Sequence, residues 1–381
     1  MISLSLLYRI LTLPIILVGT TILYFTIGTN FPHDELRHNL LSTLFCSSML
    51  HLSKGLTVKD VRIFFHDSIG STLLKNRKKL NSENELPNYG EKFTHKYDNQ
   101  DMPDSVWLAK VNGMTKSDPI ILHLHGGMMA LPYDKVILVG LSNLYKLFST
   151  TMNRPPSILL VDYSLVSQGY TYPKQVRECL NVYQVLISKG FRNITVLGES
   201  AGGTLILSFL YQISELSKLN KVVWPKGVAL ISPWLDLTNA KKIGSYRAND
   251  GLDVICYETL NRFGKAYVNN EESLFTSSVV NINMNCDISI WSKIPPIQDG
   301  KVLVLFGENE VFRDEILSWT SKIGLLKAYP NRVLMDKQGI HIGLFLEESP
   351  SIGPGMTNLD IWKKKFSVNS LYTFLRETFE E

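Results

Sequence analysis

Cysteine is scarce and scattered: Cys46, Cys179, Cys256 and Cys286 are the only four in 381 residues. None belongs to a C-x-x-C pair, so neither a zinc knuckle nor a dense disulfide framework is available, and no metal site is expected. In an oxidising compartment a bridge from Cys256 to Cys286 is one arrangement, and four lone buried thiols is the other. Excess charge is also lacking. Lys+Arg number 39 against 35 Asp+Glu, a net +4, without the concentrated basic surface of a nucleic-acid binder. No segment repeats at the periods of solenoids, and no low-complexity tract occurs. With 45% hydrophobic and 19% charged residues, the chain is too apolar for disorder and long enough to bury a large core.

Apolar character is abundant in one place. Mean hydropathy is +0.03, but Ile10 to Gly28 carries no charge and contributes about +38 on a scale where the chain totals about +11. At helical rise this stretch spans a hydrocarbon core. Residues 1–28 therefore read as an N-terminal membrane anchor, inserted through residues 10–28. A cleaved signal peptide and a buried core helix are the alternatives, and Thr26-Ile27-Gly28-Thr29 makes a poor cleavage site. Arg9 precedes the segment and only Arg37 follows within about 15 residues, which favours a cytoplasmic N-terminus and a lumenal body. A lumenal body would offer the sequon Asn193-Ile194-Thr195 for glycosylation; otherwise Asn193 is a polar residue opening a strand.

Residues 29–104 form a helical region and a loop. Leu40, Leu41, Leu44, Met49 and Leu50, then Val61, Ile63, Phe64 and Phe65, recur at helical spacing, whereas Asn81 to Asp104 is loop-like. From residue 105 to 381 the rhythm changes. Strands are expected at Val106 to Val111, Ile120 to Leu124, Ser157 to Asp162, Ile194 to Leu197, Gly227 to Ile231, Val302 to Phe306 and Arg332 to Met335. Helices are expected at Lys174 to Ser188, Thr204 to Leu219, Arg313 to Leu326 and Leu359 to Glu377. Alternating elements with continuously apolar strands imply an α/β fold, a mostly parallel sheet covered on both faces. Residues 240–298 interrupt the alternation and are expected to form a cap.

Gly198-Glu199-Ser200-Ala201-Gly202-Gly203 falls where a strand turns into a helix, the setting of a nucleophile elbow with Ser200 as nucleophile. His125-Gly126-Gly127 follows the strand Ile120 to Leu124, where a glycine loop lends N–H groups to an oxyanion hole. Gly126, Gly127 and Ala201 are the expected donors, His125 supports the loop, and His123 reads as a satisfied core histidine. Of eight histidines only His341 lies after Ser200, so it alone completes the order serine, acid, histidine. The acid belongs after the strand Val302 to Phe306, where Glu308, Glu310, Asp314 and Glu315 crowd together.

These motifs resemble the hormone-sensitive-lipase-like branch of the α/β-hydrolases, with its HGGG loop, GDSAGG or GESAGG elbow and G-x-x-D-x-L-R-D-E acid segment. Val161-Asp162-Tyr163-Ser164-Leu165, Ser232-Pro233-Trp234-Leu235-Asp236 and Trp291-Ser292-Lys293-Ile294-Pro295-Pro296 extend the resemblance over Ile120 to Phe345. The resemblance places the acid on Glu310, a glutamate where the family carries aspartate, and puts Met128 where the family has its third glycine. The anchor joined to this domain, with the residues around Asp162 and Tyr172, is similar to the fungal steryl acetyl hydrolases of the endoplasmic reticulum. That implies deacetylation of sterol acetates without metal or organic cofactor, on a lipophilic ester, by a single-pass membrane protein with a lumenal catalytic domain. A non-catalytic receptor for a hydrophobic ligand and an amidase or formamidase with the same triad are the rival readings.

Overall fold

The computed structural model describes residues 1–29, 31, 34–81, 85–93, 102–218, 222–238, 241–346 and 358–381. Leu219, residue 240 and much of the loop Asn81 to Asp104 lie outside them. Helices α1 (Leu4–Thr26), α2 (Leu40–Ser53), α3 (Val58–Phe64) and α4 (Ile69–Leu80) come first. Strands β1 (Asp104–Ala109), β2 (Ile120–Leu124), β3 (Ser157–Asp162), β4 (Ile194–Glu199), β5 (Gly227–Ile231), β6 (Val302–Gly307) and β7 (Val333–Asp336) follow. Between and after them come α5 (Lys135–Ser149), α6 (Lys174–Ser188), α7 (Ala201–Ser217), α8 (Tyr257–Tyr267), α9 (Arg313–Lys322) and α10 (Phe366–Glu380).

The strands form one sheet in the order β1-β3-β2-β4-β5-β6-β7. β1 pairs antiparallel with β3, and every other pair is parallel. β2, β4, β5 and β6 are buried at every position, which is why they are continuous apolar runs rather than alternating ones. The alternation instead divides side chains between two cores. Ile120, Leu122 and Leu124 meet residues of α6, α7 and α9 on one face, while Ile121 meets residues of α4, α5 and α10 on the other. This is the α/β-hydrolase architecture that the sequence implies.

Several boundaries differ for local reasons. No element was expected between Leu124 and Ser157, yet α5 stands there. The run Val136-Ile137-Leu138-Val139 looks strand-like, but Asp134 caps the helix by accepting the Ile137 N–H at 3.0 Å. The helix expected to reach Leu326 stops at Lys322, because Gly324 adopts φ +79° and a left-handed residue ends an α-helix. No disulfide joins Cys256 and Cys286, and the Cys256 thiol instead donates to Thr259 Oγ1 at 3.3 Å.

The N-terminal helices lie against the body. Ser3 donates through N and Oγ to the Asp60 carboxylate, each at 2.7 Å, and His51 Nε2 lies 3.1 Å from Thr12 Oγ1 and from the Arg9 carbonyl. α1 packs along α2, and its other face is bare: Leu4, Tyr8, Leu11, Ile15, Val18, Ile22 and Phe25 form an exposed stripe. Behind α1, Cys46 of α2 joins Phe31 and Leu36 in a buried cluster with Val254, Ile340 and Leu346. Fully buried Leu122 sits in the middle of the sheet. Leu122→Ala is expected to cost about 2–5 kcal/mol, seen as a lower urea midpoint with an unchanged slope.

Candidate active site

Ser200 occupies the β4–α7 turn at φ 54°, ψ −120°, a conformation costing about 1–3 kcal/mol for a residue with a side chain. Close packing imposes it. A Cβ on Gly202 would sit 1.9 Å from the Leu124 carbonyl oxygen, and one on Gly203 would sit 2.8 Å from Pro233 Cβ. Only glycine lets α7 begin against the end of β2. The turn is also tied from the β5 side, since Ser200 N donates to the Ile231 carbonyl (2.9 Å) and Trp234 N donates to the Ser200 carbonyl (3.1 Å).

The oxyanion loop departs from expectation at Gly126. Its N–H donates to Glu199 Oε1 at 2.6 Å, so it is committed and is not a free oxyanion donor. Among the described residues no acceptor is paired with the N–H of Gly127, Met128 or Ala201. The Met128 N–H is thus open where that of Gly126 is engaged. Gly127 has φ +88°, and Met128 and Met129 both have φ 58°, so the strained turn carries two large apolar side chains, which are buried. His125 holds this loop from below. Its Nδ1 lies 2.8 Å from the Gly126 carbonyl, and its ring stacks on Tyr163 at 4.3 Å, whose hydroxyl donates to the His125 carbonyl at 2.6 Å. Burial lowers the His125 pKa to about 3, so it stays neutral at physiological pH. His123 is a buried core histidine with partners on both ring nitrogens: Nδ1 lies 3.0 Å from the Tyr133 hydroxyl and Nε2 2.9 Å from Glu199 Oε2. Glu199 thus links strand β2 to the oxyanion loop, a role hidden in the variable position of G-x-S-x-G.

His341 and Glu310 come together on adjoining loops. A Cβ on Gly307 would fall 2.4 Å from the Gly339 carbonyl carbon, and Asn309 N donates to the Gly339 carbonyl at 2.8 Å. His341 Nδ1 lies 3.7 Å from Glu310 Oε2, within ion-pair range and looser than a hydrogen bond, as is common before substrate binds. The other three acids are engaged elsewhere. Glu308 accepts from Gln338 N, Asp314 from Ser245 N, and Glu315 from Leu235 N and the Tyr246 hydroxyl. Burial lowers the His341 pKa to about 4 and raises that of Glu310 to about 8, so the closed site disfavours charge on both. The base loop is fastened to the elbow side by Ile342 N, which donates to Ser232 Oγ at 3.0 Å, two residues before Trp234.

The site is covered: Ser200 is 6% exposed, His341 3% and Glu310 0%. A cavity of about 610 Å³ beside β1, lined by Ile69, Phe93, Met102 and Val106 among others, includes none of these residues. Asn193 stands at the entry to β4, half-buried, with Nδ2 donating to the Ser117 carbonyl at 3.4 Å.

The family model described as steryl acetyl hydrolase matches residues 4–374. The chain belongs to the steryl acetyl hydrolase family. Steryl acetyl hydrolase 1 of Saccharomyces cerevisiae is 26% identical over 278 residues, covering 68% of this chain and 60% of the yeast protein. An esterase of Acinetobacter venetianus is 27% identical over 133 residues, 34% of this chain and 40% of the relative. The match to each thus spans less than two thirds of the relative's length. Among solved structures, a fungal esterase from Rhizomucor miehei superposes with TM-score 0.59 at 18% identity, over 88% of this chain and 97% of that one. A hormone-sensitive lipase from a metagenome library gives 0.55 at 18% identity, over 84% and 96%. These likenesses establish the fold of this family member.

Because burial lowers the His341 pKa, the imidazole is expected to titrate well below the ordinary histidine midpoint of about 6.5. Histidine NMR of the folded chain, assigned with His341→Gln, checks this; a midpoint at or above 6.5 contradicts it.

Proposed function

We propose that this family member is a membrane-associated serine esterase acting on lipophilic carboxylic esters, with sterol acetates as the substrate class. The observation that carries it is Ser200, held in a strained elbow beside unpaired N–H groups, with the His341–Glu310 pair on the neighbouring loops. Ser200 Oγ attacks the ester carbonyl carbon as His341 accepts its proton, and the N–H groups of Gly127, Met128 and Ala201 stabilise the oxyanion. Collapse expels the alcohol, which takes the proton back from His341. Water, deprotonated by His341, then releases the acid and returns the proton to Ser200. Glu310 orients the imidazole and balances its transient charge. A receptor without catalysis would have no use for a buried His341 beside a carboxylate, and matched ester and amide substrates separate the esterase from an amidase.

The sterol acetate assignment is supported by the family's description, the name of the yeast relative and the apolar Met128 and Met129 in the oxyanion loop. Residues 240–298 act in this reading as the cap, and α1 as the anchor in an endoplasmic reticulum membrane, crossing once with the body lumenal. α1 has the needed length, 23 residues with mean hydropathy 2.0, and its exposed stripe supports lipid contact. A second reading, with α1 lying flat in the bilayer surface, is favoured by the Ser3–Asp60 bonds, which keep the start of α1 on the same side as the body. Tags at both termini in protease-protected microsomes decide: opposite sides mean a crossing helix, and the same side means a flat one.

Incubation with a panel of acetylated sterols and short-chain esters is expected to release acetate. Ser200→Ala should lose fluorophosphonate labelling and at least about 10³-fold in kcat/KM; unchanged turnover would sink the esterase reading. The acid limb of kcat/KM is expected below pH 6.5, since a lowered His341 pKa keeps the base form populated at pH values where an ordinary histidine is protonated.

A further inference from the structure

The beginning of the 240–298 insertion binds the loops that carry His341 and Glu310. Asp253, fully buried, accepts three backbone N–H groups: Oδ1 from its neighbour Val254 (2.7 Å) and from His341 (3.0 Å), and Oδ2 from Val311 (2.8 Å). His341 is the predicted base and Val311 directly follows the predicted acid. One carboxylate therefore joins both loops. Four residues earlier, Asn249 Nδ2 donates to the carbonyls of Glu310 (2.8 Å) and Glu308 (3.2 Å), and Ser245 Oγ donates to the Val311 carbonyl at 2.7 Å. The same segment is pressed from outside, because Val254 belongs to the cluster containing Phe31, Leu36 and Cys46 of the N-terminal region.

We propose that Asp253 is a positioning residue that holds the His341 and Glu310 loops in register for activation of Ser200. The inference rests on the esterase reading for its purpose, but its geometry stands on the hydrogen bonds alone. Three acidic groups surround the imidazole electrostatically: Asp253, Glu310 and, farther along the elbow, Glu199. Packed against it is the edge of the Phe312 ring, 5.0 Å between centroids, which brings no charge. Burial raises the pKa of Asp253 to about 7, opposed by its N–H donors and by His341. Its ionised form raises the affinity of His341 for a proton.

Asp253→Asn preserves size but turns an amide NH2 toward either the Val311 N–H or the shared His341 and Val254 N–H groups, so one side loses its acceptor. A loop displaced by about 1 Å is expected to slow fluorophosphonate labelling of Ser200 by about 100-fold. Asp253 is neutral where His341 titrates, so its own ionisation near pH 7 should appear as a separate step in the His341 NMR shifts, and Asp253→Asn should remove that step, which a purely structural residue remote from the imidazole would not do. Both changes together are the expected result, and either one staying at its wild-type value overturns the proposal. Where Asp253→Asn fails to fold, Asn249→Ala decides. It loosens the acid loop without altering charge, so slower labelling with the step near pH 7 retained supports the clamp and wild-type labelling overturns it. Neither readout needs ester turnover. A wild-type chain that labels but hydrolyses no ester therefore sinks the esterase reading alone.

Discussion

The approach of α7 to the carboxyl end of β2 is the contact on which the site depends. Gly202 sits so near the Leu124 carbonyl that no side chain fits, and this proximity turns Ser200 out of the helix at φ 54° while bringing the loop after β2 alongside. In parallel sheets the ends of adjacent strands open to the same edge. β2, β4, β5, β6 and β7 therefore deliver the loop Gly126 to Met129, Ser200, the Ser232–Trp234 turn, Glu310 and His341 to one edge, although these lie far apart in the chain. Moving α7 outward by the width of a methyl group would draw Ser200 away from the glycine loop after β2.

Charge at this edge is handled by backbone rather than by basic side chains. Glu199, Asp253, Glu310 and His341 are all buried, and a carboxylate removed from water is costly unless it accepts hydrogen bonds. Glu199 takes the Gly126 N–H, and Asp253 takes those of Val254, Val311 and His341. Each of these bonds also fixes a loop. Satisfying a buried acid and positioning a functional loop are thus one event here. Glu310 differs, its carboxyl lying 3.7 Å from His341 Nδ1 with Ser232 and Gly307 as further polar neighbours.

Much of the fold was readable because parallel strands and amphipathic helices leave strong periodic marks: β2, β3 and β5 appear between the residues expected. α5 was missed because its first turn is β-branched and only the Asp134 cap reveals it. In the site, Ser200 and His341 were accessible through a motif with a defined structural setting and through the order of residues along the chain. Glu310 needed a family likeness to stand out from three neighbouring acids, and the structure shows those three occupied by other donors. Gly126 was expected as a donor, and the structure directs its N–H to Glu199 Oε1, because a glycine's identity says nothing about where its N–H points. Asp253 carried no signal at all, lying in an insertion with no motif.

By itself, then, the sequence determined the sheet with helices on both faces, the strand-turn-helix around Ser200, the singling out of His341 among the histidines and the long apolar helix at the start of the chain. These follow from local periodicity, from glycine where the backbone must pass closely, and from order along the chain. Only the tertiary structure decided which N–H groups remain open to an oxyanion, which of four acids meets His341, and that the insertion and the N-terminal helices press on the base loop. Those outcomes depend on hydrogen bonds between segments 58 to 88 residues apart, where direction and desolvation select the partners and no local pattern records the choice.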